Sequence, residues 1–249
     1  MTHFRVATYN IHKGFSHLNR HMVIHELRER LHGLRADIVF LQEVVGANSR
    51  HADRYLNWPV KPQHEFLADS MWSEIAYGKN AIYEHGHHGN AVLTRYPIAS
   101  IDNEDISAHA FESRGLLHCE LNLPGATEML HCINVHLGLL ERGRQWQLLA
   151  LCERIEALVP ANAPLIIAGD FNDWRHKANR MLIQRLGVHE VFETVKGRPA
   201  RSFPSVLPVF RLDRIYARGL KARGVGVHYA NHRSRLSDHA ALTADFELA

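Results

Sequence analysis

Apolar residues alternating with polar ones recur along the chain and predict strands at "FRVATYNI", "ADIVFLQEV", "HGNAVLTRYPI", "RGLLHCELNL", "EMLHCINVHLG", "PLIIAGDFN", "FRLDRIYA", "GVGVHYA" and "HAALTADFEL". Helical spacing appears between them. Val23, Leu27, Leu31 and Leu34 mark a helix over Arg20–Arg35, and Trp146, Leu149, Ile155 and Leu158 a second over Glu141–Leu158, closed by Pro160. A shorter helix is predicted over Lys177–Leu186. Hairpins mixed with helical crossovers imply mixed sheets with helices on their outer faces. The stretch Arg198–Pro208, carrying three prolines, reads as a loop before the strand "FRLDRIYA".

Composition narrows the class. A chain of 249 residues, 46% hydrophobic and 22% charged, has the size and apolar content of one globular domain over 1–249. No apolar run is long enough to cross a bilayer, and the amino terminus lacks a secretory pattern, so a cytoplasmic protein without an integral membrane segment is expected. Three cysteines, an odd number, argue against a disulfide framework; Cys119 and Cys132 could face each other across a hairpin, and reduced core thiols are the expectation. A formal charge of +3 tolerates a phosphate-bearing partner without requiring one.

The chemistry lies at strand ends. Asn10, Glu43, His136, Asp170 with Asn172, Asp213, and Asp238 with His239 fall on six predicted elements, each at or near a strand terminus. Any one alone reads as a turn, a cap or a salt-bridge partner. Together they need partners, because a polar group beside a buried strand is costly unless satisfied, and their oxygen donors suit a hard cation such as Mg2+. Motifs for nucleotide-binding loops, dinucleotide folds, serine-hydrolase elbows and helical zinc sites are missing from the sequence. The His-rich "EHGHH", Glu84–His88, has the look of a metal tract but reads as a solvated turn.

The segments "TYNIHKG", "LQEV", "GNAVLTRYPI", "NVHLG", "GDFND", "LDRIY" and "SDHAAL", in that order, resemble the endonuclease/exonuclease/phosphatase superfamily of DNase I, and more narrowly its small bacterial members. The resemblance implies an α/β four-layer sandwich, two mixed β-sheets flanked by helices, with the site where strand termini meet. It implies Glu43, Asn10 and Asp238 near a Mg2+ ion, with Mn2+ able to replace it. By the same resemblance Asp170 and Asn172 orient the attacking water, His239 is catalytic with Asp213 fixing its tautomer, and His136 stabilises phosphate or leaving group. Arg114 in "ESRGLL" and Asn90 in "HGNAVL" are candidates for gripping phosphate, a salt bridge to a surface glutamate being the competing reading for Arg114.

"LQEVVG" lacks the lysine of abasic-site repair enzymes, and "GDFNDW" lacks the Tyr-Arg of inositol phosphatases, so neither specialisation is expected. The expected activity is Mg2+-dependent phosphodiester hydrolysis by in-line water attack, nucleic acid being the leading substrate and no obligate protein partner being evident. A phospholipid or small phosphoester is the alternative, and a non-catalytic phosphate-binding scaffold the third. A hydrophobic lip beside the site would favour lipid; "NWPV", Asn57–Val60, and "FPSVLPVF", Phe203–Phe210, are candidates, although both read as ordinary core packing.

Overall fold

A computed structural model describes residues 2–16, 21–229 and 236–248. Its strands are β1 (His3–Asn10), β2 (Ile38–Asn48), β3 (Glu74–Tyr83), β4 (Gly86–Thr94), β5 (Ile98–Asp105), β6 (Gly115–Leu121), β7 (Leu130–His136), β8 (Leu165–Asp170), β9 (His189–Glu190), β10 (Asp213–Arg218), β11 (Leu220–His228) and β12 (Ala241–Leu248). The helices are α1 (Ile24–Leu34), α2 (Ser49–Arg54), α3 (Gln63–Ala68), α4 (Glu141–Leu158), α5 (Ala178–Leu186) and α6 (Val191–Lys196). The strands form two six-stranded sheets, ordered β11-β12-β1-β2-β4-β3 and β5-β6-β7-β8-β10-β9.

Each sheet contains one parallel pair, β1 with β2 and β7 with β8, and the remaining pairs are antiparallel. The parallel pairs are bridged by α1 and α4, as parallel neighbours require a crossover. Period-two alternation then sorts the side chains. Val6, Ile38, Phe40, Cys119, Cys132, Ile166, Ala168 and Ile215 meet between the sheets. On the outer faces, Ala7, Tyr9, Val39 and Leu41 pack against α1 and α3, while Ile133, Val135, Leu165 and Ile167 pack against α4 and α5. Being covered on both faces is why "LIIA" is a continuous apolar run.

Two buried amides tie the sheets together just below one end. Asn134 donates to the Leu41 and Ala91 carbonyls at 2.9 and 2.8 Å and accepts from Gln42 Nε2 at 2.7 Å, so β7 is bonded across the core to β2 and β4. Left unpaired, each of these buried groups would cost about 1–3 kcal/mol.

The structure corrects several expectations. The first helix begins at Ile24, and its predicted start at Arg20, like Ala230 at the end of "GVGVHYA", lies outside the described residues. In α4, Trp146, Leu149 and Leu158 are exposed, and the buried face is Arg144, Gln147, Leu148, Leu151, Cys152 and Ile155. The reason is local: Arg144 donates to the Gly138 and Leu139 carbonyls and Gln147 accepts from the Gly138 N–H, so two polar residues tie the helix to the loop after β7. Strands β3 and β5 went unpredicted because both are sheet edges whose residues are largely half-buried or exposed. Cys119 and Cys132 do stand opposite one another in the β6–β7 register, as buried free thiols.

Candidate active site

Strand register assembles one row of polar side chains. His136 pairs with Asp170 across β7–β8, and Asp170 pairs with Asp213 across β8–β10. Each continues the face that carries Cys132, Ile166, Ala168 or Ile215, so the inter-sheet core ends in an imidazole and two carboxylates. Asn10 extends the corresponding face of β1 beyond Val6 and pairs with Gln42 of β2.

Alternation alone would turn Glu43 away from this row. Between Leu41, paired with Ala91, and Val44, paired with Gly89, two residues of β2 oppose the single Asn90 of β4. That is a β-bulge, and Glu43 sits in it with a left-handed φ of 57°. The bulge re-aims the carboxylate toward Asn10.

Asn10 links the sheets at the rim: its Nδ2 donates to Glu43 Oε1 at 3.4 Å and to Asp170 Oδ2 at 3.2 Å, while its Oδ1 accepts from the His12 N–H at 3.1 Å. Asn10 therefore faces the carboxylates with its nitrogen. Ser237 Oγ donates to the Asn10 carbonyl at 2.7 Å, which holds the "SDH" loop against β1. From that loop His239 places Nδ1 at 2.8 Å from Asp213 Oδ2 and Nε2 at 3.8 Å from Asp170 Oδ2; His136 Nε2 approaches the same oxygen to 3.6 Å. The Asn172 N–H donates to Asp170 Oδ1 at 3.0 Å, and its side chain to the Leu137 carbonyl at 2.9 Å. Asp238 lies 3.6 Å from His12 Nδ1, which is 3.9 Å from Glu43.

Arg114 and Asn90 line a small cleft with Glu43, His88 and His136. Asn90 donates to the Gly115 carbonyl at 3.0 Å. The competing reading for Arg114 is met in part: its Nε lies 3.9 Å from Glu112 Oε1, a long ion pair without a hydrogen bond, while Glu112 Oε2 accepts from Gln147 and the Ala108 N–H. All ten residues singled out from sequence thus share one end of the sandwich.

Burial and neighbours set the charges. Burial pushes the Asp170 carboxyl up to about 6, with Asp213 adding to the rise. Burial pulls His239 down, but the Asp213, Asp170 and Asp238 carboxylates outweigh it and hold the imidazole at about 10. His136 is lowered well below the ordinary value, first by burial and then by Arg114, His239, His88 and Lys13.

Sequence reasoning missed His12, Lys13 and His88. His88 comes from "EHGHH", expected to be a solvated turn; His87 and His88 lie instead on β4, half-buried, and burial lowers His88 to about 4. A cavity of about 530 Å³ adjoins this wall, lined by Lys13, Phe15, His51, Arg54, Tyr55 and His88 among others. The core-packing expectation for the two apolar loops is also overturned. Val60 is fully exposed, and Leu207, Val209 and Phe210 are 75%, 54% and 41% exposed. Phe203 packs on the His239 ring, and Trp174, two residues past Asn172, meets Phe210 edge-on. Neither loop lies within a strand or helix, so alternation does not turn these side chains toward a core.

The model of the endonuclease/exonuclease/phosphatase family matches residues 7–239. "Uncharacterized protein YbhP" of Escherichia coli strain K12 is 48% identical over 245 residues, 98% of this chain and 96% of that protein. Among solved structures, an endonuclease/exonuclease/phosphatase from Beutenbergia cavernae covers 100% of this chain and 72% of its own, with a TM-score of 0.78 at 18% identity. The human Nocturnin catalytic domain with bound sulfate covers 99% of this chain and 94% of its own, also with a TM-score of 0.78 at 18% identity. At that identity these two likenesses show the fold, and no helix among the described residues is long and apolar enough to cross a membrane. A family match from Ala7 to His239, together with a near-full-length relative at 48% identity, establishes that the chain belongs to the endonuclease/exonuclease/phosphatase family.

Proposed function

We propose that this protein is a divalent-metal-dependent phosphodiesterase that hydrolyses its substrate by in-line attack of water, with Mg2+ as the ion and Mn2+ as a substitute. The observation that carries the reading is the joining of Glu43 and Asp170 by the Asn10 amide, with His136 and His239 on either side of Asp170. The donor chemistry fits a hard cation: Glu43, Asp170 and Asp238 bring three carboxylates to one rim, and Asp213 Oδ1 is buried without a partner. Glu43, with Asp238 beside it, would hold the ion, which when bound would supply positive charge to the phosphoryl oxygens.

The chain's own groups do the rest. Asp170, raised to about 6 and fixed by Asn10 and Asn172, takes the proton as the water oxygen attacks phosphorus and the bond to the leaving oxygen breaks. His239, kept charged by Asp213, stabilises the developing negative charge. Neutral His136 donates to a phosphoryl or leaving oxygen, and Arg114 grips a non-bridging oxygen from the cleft.

For the substrate, cationic and aromatic side chains in the adjoining cavity support a nucleic acid or nucleotide, whose bases stack on rings and whose phosphates seek Lys13 and Arg54. A lipid phosphodiester is the second reading, favoured by exposed Leu139, Leu140, Trp174, Leu207 and Phe210 around the rim. Hydrolysis of bis-p-nitrophenyl phosphate in Mg2+ tests the chemistry: EDTA is expected to silence it, and Asp170→Ala and His239→Ala each to abolish it in a folded protein. Full activity in either variant would end the assignment. Plasmid DNA, RNA and phosphatidylglycerol vesicles assayed side by side separate the substrates.

A further inference from the structure

The second sheet carries another cluster of imidazole and carboxylate, at the end away from the rim. His118 and Glu120 lie on β6, and His131 stands opposite Glu120 on β7. Cys119 and Cys132 point into the inter-sheet core, so alternation sends these three side chains to the outer face together. His131 precedes His136 by five residues along one strand, a separation of roughly 17 Å at ~3.3 Å per residue.

We infer that His118, Glu120 and His131 form a second metal site, separate from the active site, that takes one borderline transition-metal ion of the Zn2+ class. One ligand atom from each of the three residues lies within 4.8 Å of the others. His118 Nε2 and His131 Nδ1 are 3.0 Å apart, close to the ~3.3 Å edge of a tetrahedron built on Zn–N bonds of about 2.0–2.1 Å. The rings are 5% and 4% exposed, so they are held in place, whereas Glu120 is half-buried and leaves solvent a route to the site.

The surrounding charges leave the carboxylate available. Asp102, opposite His118 on β5, is paired with Arg154 of α4, as is Glu104. Glu120 forms no hydrogen bond or ion pair among the described residues. Two imidazoles and one carboxylate, with a position left for water, make the donor set of an open zinc site; Mg2+ demands more oxygen ligands than this cluster supplies. Such an ion would cross-link β6 to β7. The competing account of the same geometry is a pair of neutral imidazoles sharing one hydrogen bond, with no affinity for metal.

The test uses the full-length protein, stripped of metal, in excess Mg2+ to occupy oxygen-rich sites. Zn2+ retained through gel filtration is counted by elemental analysis, and Co2+ is titrated while the visible absorption of a four-coordinate ion is followed. Wild type and Glu43→Gln are expected to retain one Zn2+ per chain and to develop the Co2+ bands. His118→Gln and His131→Gln should lose both signals, and Glu120→Ala should bind at least about tenfold more weakly. Because Glu120 is at the rim of the cluster and both rings survive in Glu120→Ala, that variant decides alone should the histidine variants fail to fold. Absence of retained Zn2+ in wild type, affinity unchanged in Glu120→Ala, or loss of Zn2+ in Glu43→Gln with retention in His118→Gln would each overturn the assignment. None of these results depends on phosphodiester hydrolysis, so this site and the proposed activity stand or fall separately.

Discussion

His136 and His239 approach the same oxygen of Asp170, to 3.6 and 3.8 Å, and are both almost wholly buried, yet they are driven to opposite charge states. Behind His239 stands Asp213, 2.8 Å from the far ring nitrogen; around His136 the influential neighbours are Arg114, the charged His239 itself, His88 and Lys13, all of which disfavour a proton. Burial lowers both rings, so burial does not distinguish them. Register does. Asp213 is the β10 partner of Asp170, so the row that places Asp170 also places the carboxylate that charges His239. One edge thereby offers a cation and a neutral donor on either side of a single carboxylate, a division of labour suited to a phosphoryl group whose charge grows on some oxygens and is relieved on others.

The largest expected effect comes from erasing that difference. Asp213→Asn keeps the shape behind His239 and removes its charge, so the imidazole should fall toward the neutral state of His136. A drop of about 10²–10⁴ in kcat with little change in KM is expected, the range lost when a preorganised stabilising charge or the carboxylate that orients it is removed. Ring NMR in EDTA checks the cause: in wild type His239 should stay protonated at pH 8 and His136 neutral at pH 6, and Asp213→Asn should release the His239 proton below pH 8. A variant with normal kcat and an unmoved His239 titration would detach the charge from Asp213. His136→Ala, which removes a donor and no charge, should cost less, about 10² in kcat at every pH between 7 and 9. A loss that grew with falling pH would mean that His136 carries a proton after all.

Much of this edge was legible in the sequence because the polar residues end runs whose alternation fixes their direction. Asp170 follows "LIIAG", His136 follows "LHCINV", and Asp213 opens "DRIYA"; the face each takes is set by an apolar residue of the same parity, Ala168 and Ile215 two positions away for the carboxylates and Cys132 four positions away for His136. Glu43 was legible only by its motif, since alternation would have pointed it away and the bulge that turns it leaves no apolar signature. His12, Lys13 and His88 were not legible. Their positions depend on a left-handed turn after β1 and on the register of the β3–β4 hairpin, which are set by contacts across the chain. The α4 error has the same origin: Arg144 and Gln147 are buried because loop carbonyls and an N–H meet them, and periodicity cannot see those partners.

The smallest effect is in stability, and it sharpens the comparison without any substrate. His239 has a folded pKa of about 10, above its ordinary 6.5, so its proton is held more tightly by the folded state. That contribution is complete below about pH 6.5 and is lost as pH rises through about 10. His136, lowered by folding, contributes fully above its ordinary value and adds no slope from pH 7 to 10. Asp170, raised to about 6, has already ionised there and adds none either. The slope that separates wild type from Asp213→Asn in this window therefore belongs to His239. Denaturant unfolding should find wild type more stable than Asp213→Asn at pH 7, with the gap narrowing by about 2–4 kcal/mol by pH 10. A gap that held constant or widened would show that Asp213 supports the fold without charging the histidine, and His239 would then differ from His136 only in position.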